Sequence, residues 1–265
     1  MNQPLSGMNA IVTGGGSGIG LACAMAFRKD GANILVMGRT ESKLETATQK
    51  LLGWPGKGKV QYFVGDAGEE ESVQQAVALA ANSGRLDIAI ANAGTGSLGP
   101  IEEIKDSEWQ RVMQTNLSGP FYLVKSAAAS MSGGGAICAI SSIAGVRTHR
   151  FMSAYCTSKA AVDMLVRNSA DELGKKGIRV NSVCPGLVET ELASGLLATE
   201  AVYEDYRNCM PLNRHGQAVD IAAAVRFLCG PESTWITGVN LSVDGGHHLR
   251  RGPDLNPIVE VIYGE

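Results

Sequence analysis

Three features that mark other protein classes are missing from this 265-residue sequence: closely spaced cysteines, blocks of basic residues and long apolar runs. The nearest two of its six cysteines, Cys138 and Cys156, stand 18 residues apart. Neither a cysteine zinc site nor a disulfide-rich scaffold is therefore predicted, and no metal is expected. The 23 Lys and Arg residues are dispersed and the net charge is −3, which argues against a nucleic-acid partner. No apolar run reaches the ~18 residues that a membrane span needs.

The N-terminal segment MNQPLSGMNAIV also lacks the charged region and the apolar region of a secretory signal. Single cysteines scattered through apolar segments are typical of core residues in a reducing compartment. Together these absences predict a soluble cytoplasmic protein with no membrane partner.

What the sequence does contain is a regular alternation of short apolar runs with longer helical patterns. Strands that are apolar throughout and separated by helices indicate a parallel sheet covered on both faces. Right-handed crossovers then give a single, doubly wound α/β domain over residues 1–265, with seven strands. The strands are predicted at 10–13, 33–37, 60–64, 86–91, 136–141, 178–184 and 239–243, and the helices at 18–29, 41–52, 69–82, 106–131, 153–174 and 217–229.

A glycine-rich turn follows the first predicted strand, in AIVTGGGSGIGLACAMAF. Its spacing is G-x-x-x-G-x-G, with Gly14, Gly18 and Gly20. Glycines allow a tight turn and close approach of a phosphate, and free amides at the start of the next helix attract that phosphate. The turn therefore predicts a dinucleotide site, although a glycine-rich turn without a ligand has the same pattern.

The end of the second strand bears on the choice of dinucleotide. An acidic residue there binds the ribose of NAD, whereas this chain has Gly38 and Arg39. Arg39 is suited to a 2′-phosphate, so NADP(H) is favoured. NAD(H) stays possible because Glu41 is close and the glycine turn offers Ser17 instead of a second basic residue. The alternative is that Arg39 is a solvated surface residue.

The stretch SAYCTSKAAVDML (153–165) reads as a largely buried helix that carries Tyr155 and, four residues later, Lys159. Residues four apart lie on one face of a helix, so the two side chains are neighbours. Such a pair is either a structural contact or a device for moving a proton.

Together with the glycine spacing, the segment Asn92-Ala93-Gly94, the position of Ser142 and the Tyr-x-x-x-Lys pair resemble the short-chain dehydrogenase/reductase family. PGLVET (185–190) and ITGVNLSVDGG (236–246) are also similar to that family's motifs, and the resemblance runs from about residue 7 to 246. It implies a Rossmann fold and alcohol–ketone oxidoreduction. One departure is ANAG, where many relatives have a second Asn.

The resemblance also implies a cofactor site. Ile19 would give an amide to the pyrophosphate, Asp66 would accept from the adenine amino group, and the residues after the sixth strand would lie beside the nicotinamide. With Ser17 and Arg39 added, the predicted cofactor-binding set is Thr13, Gly14, Ser17, Gly18, Ile19, Gly20, Arg39, Asp66, Ala67, Asn92, Ala93, Gly94, Tyr155, Lys159, Pro185, Gly186, Val188 and Thr190.

The implied catalytic residues are Asn116, Ser142, Tyr155 and Lys159, with Ser142 preferred to Ser141 because the family's Ser precedes the Tyr by thirteen residues. A phenol titrates near ~10, and a nearby ammonium lowers that pKa. Lys159 is therefore expected to activate Tyr155 as general acid/base and to bind the nicotinamide ribose. Ser142 would bind the substrate oxygen, and Asn116, expected inside a helix, would hold a carbonyl and a water.

Two further segments carry open alternatives. The amphipathic stretch 187–212 resembles a family lid, and its Leu and Met residues form either an apolar pocket wall or a helix core. Arg147, His149 and Arg150 either rim the site, which suits an anionic or acyl-carrier substrate, or form a solvated loop, the preferred interpretation. The tail 247–265 either docks, in one hypothesis on a neighbouring subunit, or is a loose terminus.

The substrate is predicted to be a small carbonyl or alcohol compound, with a 3-oxoacyl thioester, a steroid or other lipophilic alcohol, and a small ketone or sugar all open. Relatives usually form homotetramers, so a homotetramer or homodimer is expected. The competing functions are an NAD-linked alcohol dehydrogenase, a nucleotide-sensing regulator without turnover, and a nucleotide-sugar epimerase or dehydratase. The last is disfavoured by length and by the glycine spacing.

Overall fold

The computed structural model describes residues 3–82 and 84–264, so Met1, Asn2, Ser83 and the last tail residue, Glu265, lie outside it. Its seven strands are β1 (Asn9–Thr13), β2 (Asn33–Gly38), β3 (Val60–Val64), β4 (Ile88–Ala91), β5 (Gly135–Ile140), β6 (Ile178–Pro185) and β7 (Asn240–Val243). All pairings are parallel, in the order β3-β2-β1-β4-β5-β6-β7. The predicted seven-stranded, doubly wound sheet is confirmed.

The strands are apolar because helices cover both faces of the sheet. All four residues of β4, near the centre, are buried, whereas the residues of the edge strand β7 are only half-buried. The helices are α1 (Gly18–Lys29), α2 (Glu41–Leu52), α3 (Glu70–Ala81), α4 (Asp106–Met113), α5 (Gly119–Ser130), α6 (Ser153–Leu173), α7 (Ser194–Ala198), α8 (Glu200–Cys209), α9 (Ala218–Cys229) and α10 (Asn256–Tyr263).

Two apolar clusters lie on opposite faces of this sheet. On one face α1 and α9 lie side by side, with Phe27 and Leu228 buried against β1. On the other face α3, α5 and α6 bury Val73, Leu123 and Val162. Each helix turns one apolar stripe towards the strands, as expected for a three-layer α/β fold.

The helix predicted over 106–131 is not regular. It is interrupted by a π-helical turn, Gln114–Ser118, between α4 and α5. Such a turn inserts an extra residue into the helix and re-aims the side chains around it, and here it buries Asn116 completely. Gly119 follows it, and a Cβ atom there would lie 2.7 Å from the carbonyl oxygen of Ala67, so glycine allows the chain to pass.

The segment after β6 forms a lid (residues 187–212) that contains α7 and α8. The tail (residues 247–264) crosses this lid and ends in α10. Leu255 of the tail is fully buried beside Val202 and Tyr206 of α8, in a third apolar cluster. The tail is therefore packed on its own chain, and the expectation of a loose terminus is wrong.

Across residues 3–82 and 84–264, no helix combines the length and the apolar character needed to cross a membrane.

Candidate active site

Parallel strands end at a common edge of the sheet, and the predicted site residues follow the carboxyl ends of six of them. The glycine turn follows β1, Arg39 follows β2, Asp66 follows β3, Asn92 follows β4, Ser142 follows β5, and Gly186 follows β6. In open α/β sheets ligands bind at this edge, where the strand order reverses. Here the reversal lies between β1 and β4.

The glycine turn is too tightly packed for side chains. A Cβ atom on Gly20 would lie 2.4 Å from the carbonyl oxygen of Gly14, and one on Gly14 would lie 2.8 Å from Nδ2 of Asn92. Gly14 and Gly18 have φ of 64° and 51°, which favours glycine. Ser17 precedes α1 without a side-chain cap, so the first amides of the helix, including that of Ile19, are available to an anion.

Thr13 and Asn92 tie the ends of β1 and β4 together beneath this turn. Nδ2 of Asn92 donates to the carbonyl oxygens of Thr13 (3.0 Å) and Gly14 (3.1 Å). The Thr13 hydroxyl accepts from the amides of Asn92 (3.0 Å) and Ala93 (3.1 Å). The two side chains thus hold the cradle in shape, while Gly94 follows on towards Lys159, whose Nζ lies 3.8 Å from the position of a Cβ on that glycine.

At the adenosine end, Arg39 is 72% exposed and its Nη1 lies 3.8 Å from Oδ2 of Asp66. The other Asp66 oxygen accepts from the Gly68 amide at 2.8 Å, which fixes the loop that contains Ala67. The sequence analysis missed Lys43 of α2, whose Cβ lies 3.5 Å from where a Cβ on Gly16 would stand. A basic residue in the first turn of the helix after β2 was the available signal.

At the nicotinamide end, Gly186 packs on Asp244, with 3.0 Å between its built Cβ and the Asp244 Cα. Val188, which follows Pro185, is buried. Thr190 reaches across to the glycine turn, because its Cγ2 lies 3.3 Å from the position of a Cβ on Gly18. The structure therefore brings the two ends of the predicted cofactor set to one cleft.

The four predicted catalytic residues are also brought together. Lys159 is buried, its Nζ donates to the Ile140 carbonyl (2.8 Å), and it stands 5.7 Å from the centroid of the Tyr155 ring. The Ser142 hydroxyl lies close enough to the Tyr155 phenol to lower its pKa, and it accepts from the Ala144 amide at 3.1 Å.

Asn116 is placed to anchor the wall of the site. From the π-helical turn, its Oδ1 accepts from the Thr95 amide (2.8 Å) and its Nδ2 donates to the Thr95 carbonyl (2.9 Å) and the Ser158 hydroxyl (3.1 Å). These bonds join the loop after β4 to the helix of Tyr155. The prediction that Asn116 holds a backbone carbonyl is confirmed, and that carbonyl belongs to Thr95.

The titration of the pair differs from the expectation. Burial raises the pKa of Tyr155, and the hydrogen bond from Ser142 opposes that shift. Burial lowers the pKa of Lys159 to about 8, against the field of Asp163, which raises it. The pKa of Tyr155 is therefore raised and not lowered as expected, because burial of the phenol is the largest cause of its shift.

In the loop before α6 the preferred interpretation as solvated holds for Arg147 and Arg150, which are exposed, but not for His149. His149 is buried, 5.9 Å from the ring of His247 and 6.4 Å from that of Tyr206, and burial lowers its pKa. Arg147 donates to the His248 carbonyl (2.8 Å), and Arg150 stacks on Phe151 with 5.0 Å between guanidinium carbon and ring centroid. The tail thus contacts this loop through His247 and His248 and leaves its arginine side chains exposed.

Lid and tail close the outer side of the site. Tyr206 of α8 is buried close enough to Tyr155 for a negative charge on that phenol to raise its pKa, although burial is the larger cause. A cavity of about 500 Å³ opens between the loop after β4, the loop before α6 and the tail helix, and none of the predicted catalytic residues lines it. Its lining includes Gly99, Ile101, Arg150, Phe151, Val259 and Glu260.

Known proteins share this arrangement. A family profile described as enoyl-(acyl carrier protein) reductase matches residues 14–248. The galactitol 2-dehydrogenase (L-tagatose-forming) of Cereibacter sphaeroides is 35% identical over 247 residues, which cover 92% of this chain and 96% of that protein.

Solved structures of short-chain dehydrogenases superpose on nearly the whole chain. A short-chain type dehydrogenase/reductase from Mycobacterium ulcerans superposes with a TM-score of 0.94 at 37% identity, covering 98% of this chain and 97% of that one. A short-chain dehydrogenase from Burkholderia cenocepacia J2315 in complex with NADP gives a TM-score of 0.85 at 30% identity, with coverages of 92% and 99%. Matching over nearly the whole chain in sequence and in fold, this protein belongs to the short-chain dehydrogenase/reductase family, NAD(P)-using oxidoreductases that act on alcohol and ketone groups.

Proposed function

We propose that this protein is an NADP(H)-dependent oxidoreductase that interconverts a secondary alcohol and a ketone, with Tyr155 as the general acid/base. The observation that carries the proposal is the grouping of Tyr155, Ser142 and the buried Lys159 at the carboxyl edge of the sheet, next to the glycine turn. A phenol, a hydroxyl and an ammonium at one point are the groups needed to bind and protonate a carbonyl oxygen.

The residues present fit a dinucleotide. The glycine turn leaves no room for Cβ atoms and directs uncapped helix amides towards the cleft. When bound, the nicotinamide would supply hydride transfer to or from the substrate carbon. Arg39, which is largely exposed beside Asp66, and Lys43, whose Nζ is paired with the exposed Glu191, would offer two cations to a 2′-phosphate on the adenosine ribose.

The proton is handled by this chain's own residues. Tyr155 gives its phenolic proton to the substrate oxygen in reduction and takes it back in oxidation. Ser142 holds that oxygen against the phenol, and the protonated Lys159 stabilises the phenolate once the proton has left. Asn116 keeps the loop after β4 in place through Thr95.

For the substrate we propose a lipophilic or acyl-thioester compound. Tyr206, which lies near Tyr155, belongs to the buried apolar cluster of lid and tail together with Leu187, Val202, Met210 and Leu255. The family profile carries the name of an acyl-carrier-protein enzyme, whereas the galactitol dehydrogenase acts on a polyol, so a sugar alcohol is the second candidate.

For the assembly we propose a homotetramer or homodimer through α5 and α6. Phe121 of α5 is 46% exposed and Met164 of α6 is 50% exposed, although both helices belong to the core layer. Large apolar side chains on otherwise buried helices mark a surface for association. Multi-angle light scattering of the purified protein measures the number of subunits, and a monomer contradicts the proposal.

The role of Tyr155 is tested by Tyr155→Phe, which removes only the hydroxyl. Turnover of the best carbonyl from a panel of thioesters, lipophilic ketones and sugars falls about 10²- to 10⁴-fold, because the proton donor is lost. NADPH affinity, measured by fluorescence titration, stays unchanged. Tyr122→Phe on α5 is the matched control. Substantial turnover in Tyr155→Phe contradicts the role, and a wild-type protein that binds NADPH but reduces no carbonyl favours a nucleotide sensor.

The cofactor choice is tested by Arg39→Ala. We expect the Kd for NADPH to rise about 10- to 100-fold, the weight of a charge-assisted hydrogen bond of about 1.5–3 kcal/mol, with no change for NADH. Lys50→Ala, at the far end of α2, is the control for lost surface charge. If wild-type protein binds NADH more tightly, Arg39 is a surface residue and an NAD-linked alcohol dehydrogenase is the better proposal.

A further inference from the structure

Asp163 is a buried carboxylate to which the proposed mechanism gives no part. It lies on α6, four residues after Lys159, so the two side chains share one face of the helix. Only 2% of Asp163 is exposed and only 5% of Lys159. Since α6 presents this face to β6 and to the turn after β5, both groups are closed off from solvent by the same elements.

The surroundings of Asp163 suit a charged carboxylate better than a neutral acid. Its Oδ1 accepts from the hydroxyl of Ser182 (3.2 Å) and from the thiol of Cys184 (3.8 Å), both on β6. Its Oδ2 is buried and has no hydrogen-bond partner among the residues that the structure describes. A protonated carboxyl would need an acceptor at that oxygen, whereas an ionised one only accepts.

The unpartnered oxygen points into the corner where the backbone of Lys159 lies. A Cβ atom on Gly145 would stand 2.8 Å from Oδ2 of Asp163 and 3.0 Å from the carbonyl carbon of Lys159. Helical side chains lean back over the preceding turn, so the carboxylate of Asp163 is carried towards Lys159 and not away from it. Gly145 leaves this corner free of a side chain.

A buried charge is tolerated when an opposite charge is close. We propose, on the basis of the function proposed above, that Asp163 is a positioning residue: the buried counter-ion that holds Lys159 as an ammonium beneath Tyr155. Asp163 is closed off from solvent and bonded to Ser182 and Cys184, so it acts through Lys159 and not on a ligand directly.

The other titratable groups around Lys159 and Asp163 do not act as a counter-ion to the Lys159 ammonium. Tyr155 and Cys184 face Lys159 from α6 and β6, and burial raises the pKa of both, so both are neutral near pH 7. Arg167, further along α6, donates its Nε to the backbone carbonyl of Asp163 (3.3 Å) and not to its carboxylate. From the turn after β5, Gly145 brings no charge. Asp163 is thus the anion that faces Lys159 among the described residues.

Loss of the Asp163 charge is expected to lower the pKa of Lys159. Burial lowers the pKa of Lys159 to about 8, and the field of Asp163 raises it against that shift. Removing the carboxylate charge leaves burial unopposed, so Lys159 loses its proton at lower pH. The alkaline limb of turnover that depends on protonated Lys159 then moves in the same direction.

The experiment is Asp163→Asn, with the titration of Lys159 followed directly by NMR of protein labelled with ¹³C-lysine. Lys159→Met identifies the Lys159 signal by its loss. We expect the midpoint of Lys159 to fall by about one pH unit or more, as for removal of a near opposite charge. The control Asp171→Asn removes an exposed carboxylate from the same helix and leaves the midpoint in place. An unchanged midpoint in folded Asp163→Asn overturns the proposal.

A second variant guards against misfolding of the first. Ser182→Ala keeps the carboxylate but removes its hydroxyl donor, so the anion is less stabilised and Lys159 shifts the same way by less. No shift in this variant, where Asp163→Asn does not fold, overturns the proposal as well. The NMR titration needs neither nucleotide nor substrate. A protein that reduces no carbonyl therefore disproves the proposed function and leaves the Asp163–Lys159 test intact.

Discussion

The sheet side and the lid side of the cleft are held together by different kinds of contact. On the sheet side, glycines allow backbone to touch backbone, as at Gly20, and the side chains of Thr13 and Asn92 bond only to main-chain atoms. On the lid side, contacts between side chains hold the elements together: Leu255 of the tail is buried against α8, and Arg251 of the tail forms an ion pair with Asp205 of α8. Backbone contacts tolerate almost no change in shape, whereas a side-chain cluster can repack.

This difference suits the two tasks of the cleft. A dinucleotide of constant shape calls for a fixed cradle, which close backbone packing provides. A substrate that must enter and leave calls for a cover that opens, and covers come from the less stable parts of a protein. The ion pair between Lys43 and Glu191 (2.5 Å) joins the two sides through exposed side chains, so it gives little resistance to opening.

The largest difference in NADPH affinity is expected between two variants that each add one methyl group, Gly20→Ala on the sheet side and Gly195→Ala on the lid side. Gly20→Ala places a Cβ 2.4 Å from the Gly14 carbonyl oxygen, so the turn must shift and the amides around it lose their alignment. Strain of about 1–3 kcal/mol corresponds to about a 10- to 100-fold loss of NADPH affinity. Gly195→Ala in α7 meets no atom within 4 Å among the described residues and gains helix propensity of about 0.5–1 kcal/mol.

Fluorescence titration compares the NADPH affinity of Gly20→Ala and Gly195→Ala, and thermal melting compares their stability. Equal NADPH binding by both would show that the glycine turn adapts as freely as the lid does.

A smaller effect on NADPH binding, but a local loss of packing, is expected from Leu255→Ala, which empties a fully buried position between tail and lid. Loss of such a leucine costs about 2–5 kcal/mol of packing, and most of it falls on the lid because the cluster is separate from the sheet. The KM for a lipophilic substrate should rise while the Kd for NADPH stays unchanged. Val261→Ala on the exposed face of α10 is the control, and a parallel loss of NADPH affinity contradicts the separation.

The smallest effect is expected from pH. Hydrogen bonds from Arg251 lower the pKa of Asp205, so this contact stabilises the tail above the ordinary pKa of an aspartate and is lost as the pH falls below it. Hydrogen exchange of residues 247–264 should therefore increase in acid before that of the sheet does. Asp205→Asn should remove the difference between neutral and acidic pH, and a variant that keeps it would assign the effect to another group.

Much of the fold was predictable because strand and helix signals are local. The seven strands, the glycine turn and the Tyr155–Lys159 spacing each follow from the period of the chain or from the steric needs of one turn. The π-helical turn Gln114–Ser118 was not predictable, because a single such turn leaves no repeating hydrophobic pattern in the sequence. It also depends on the hydrogen bond of Asn116 to Thr95, 21 residues earlier.

The candidate site divides in the same way. Residue types and their order assigned Tyr155, Lys159 and Ser142, but the pKa of the phenol was predicted with the wrong sign, because a pKa depends on burial that only the packed chain creates. Lys43 and His149 were missed or misplaced for the same reason: their neighbours, Gly16 and His247, come from other segments.

By itself, then, the sequence determined which groups are available, their spacing along each element and the edge of the sheet where they emerge, since these depend on local backbone geometry. The tertiary structure decided which of them meet. Thr190 over the glycine turn, the tail on the lid and Asp163 of α6 against Ser182 of β6 are contacts between elements, and desolvation at such contacts shifts the pKa of a buried group such as Lys159.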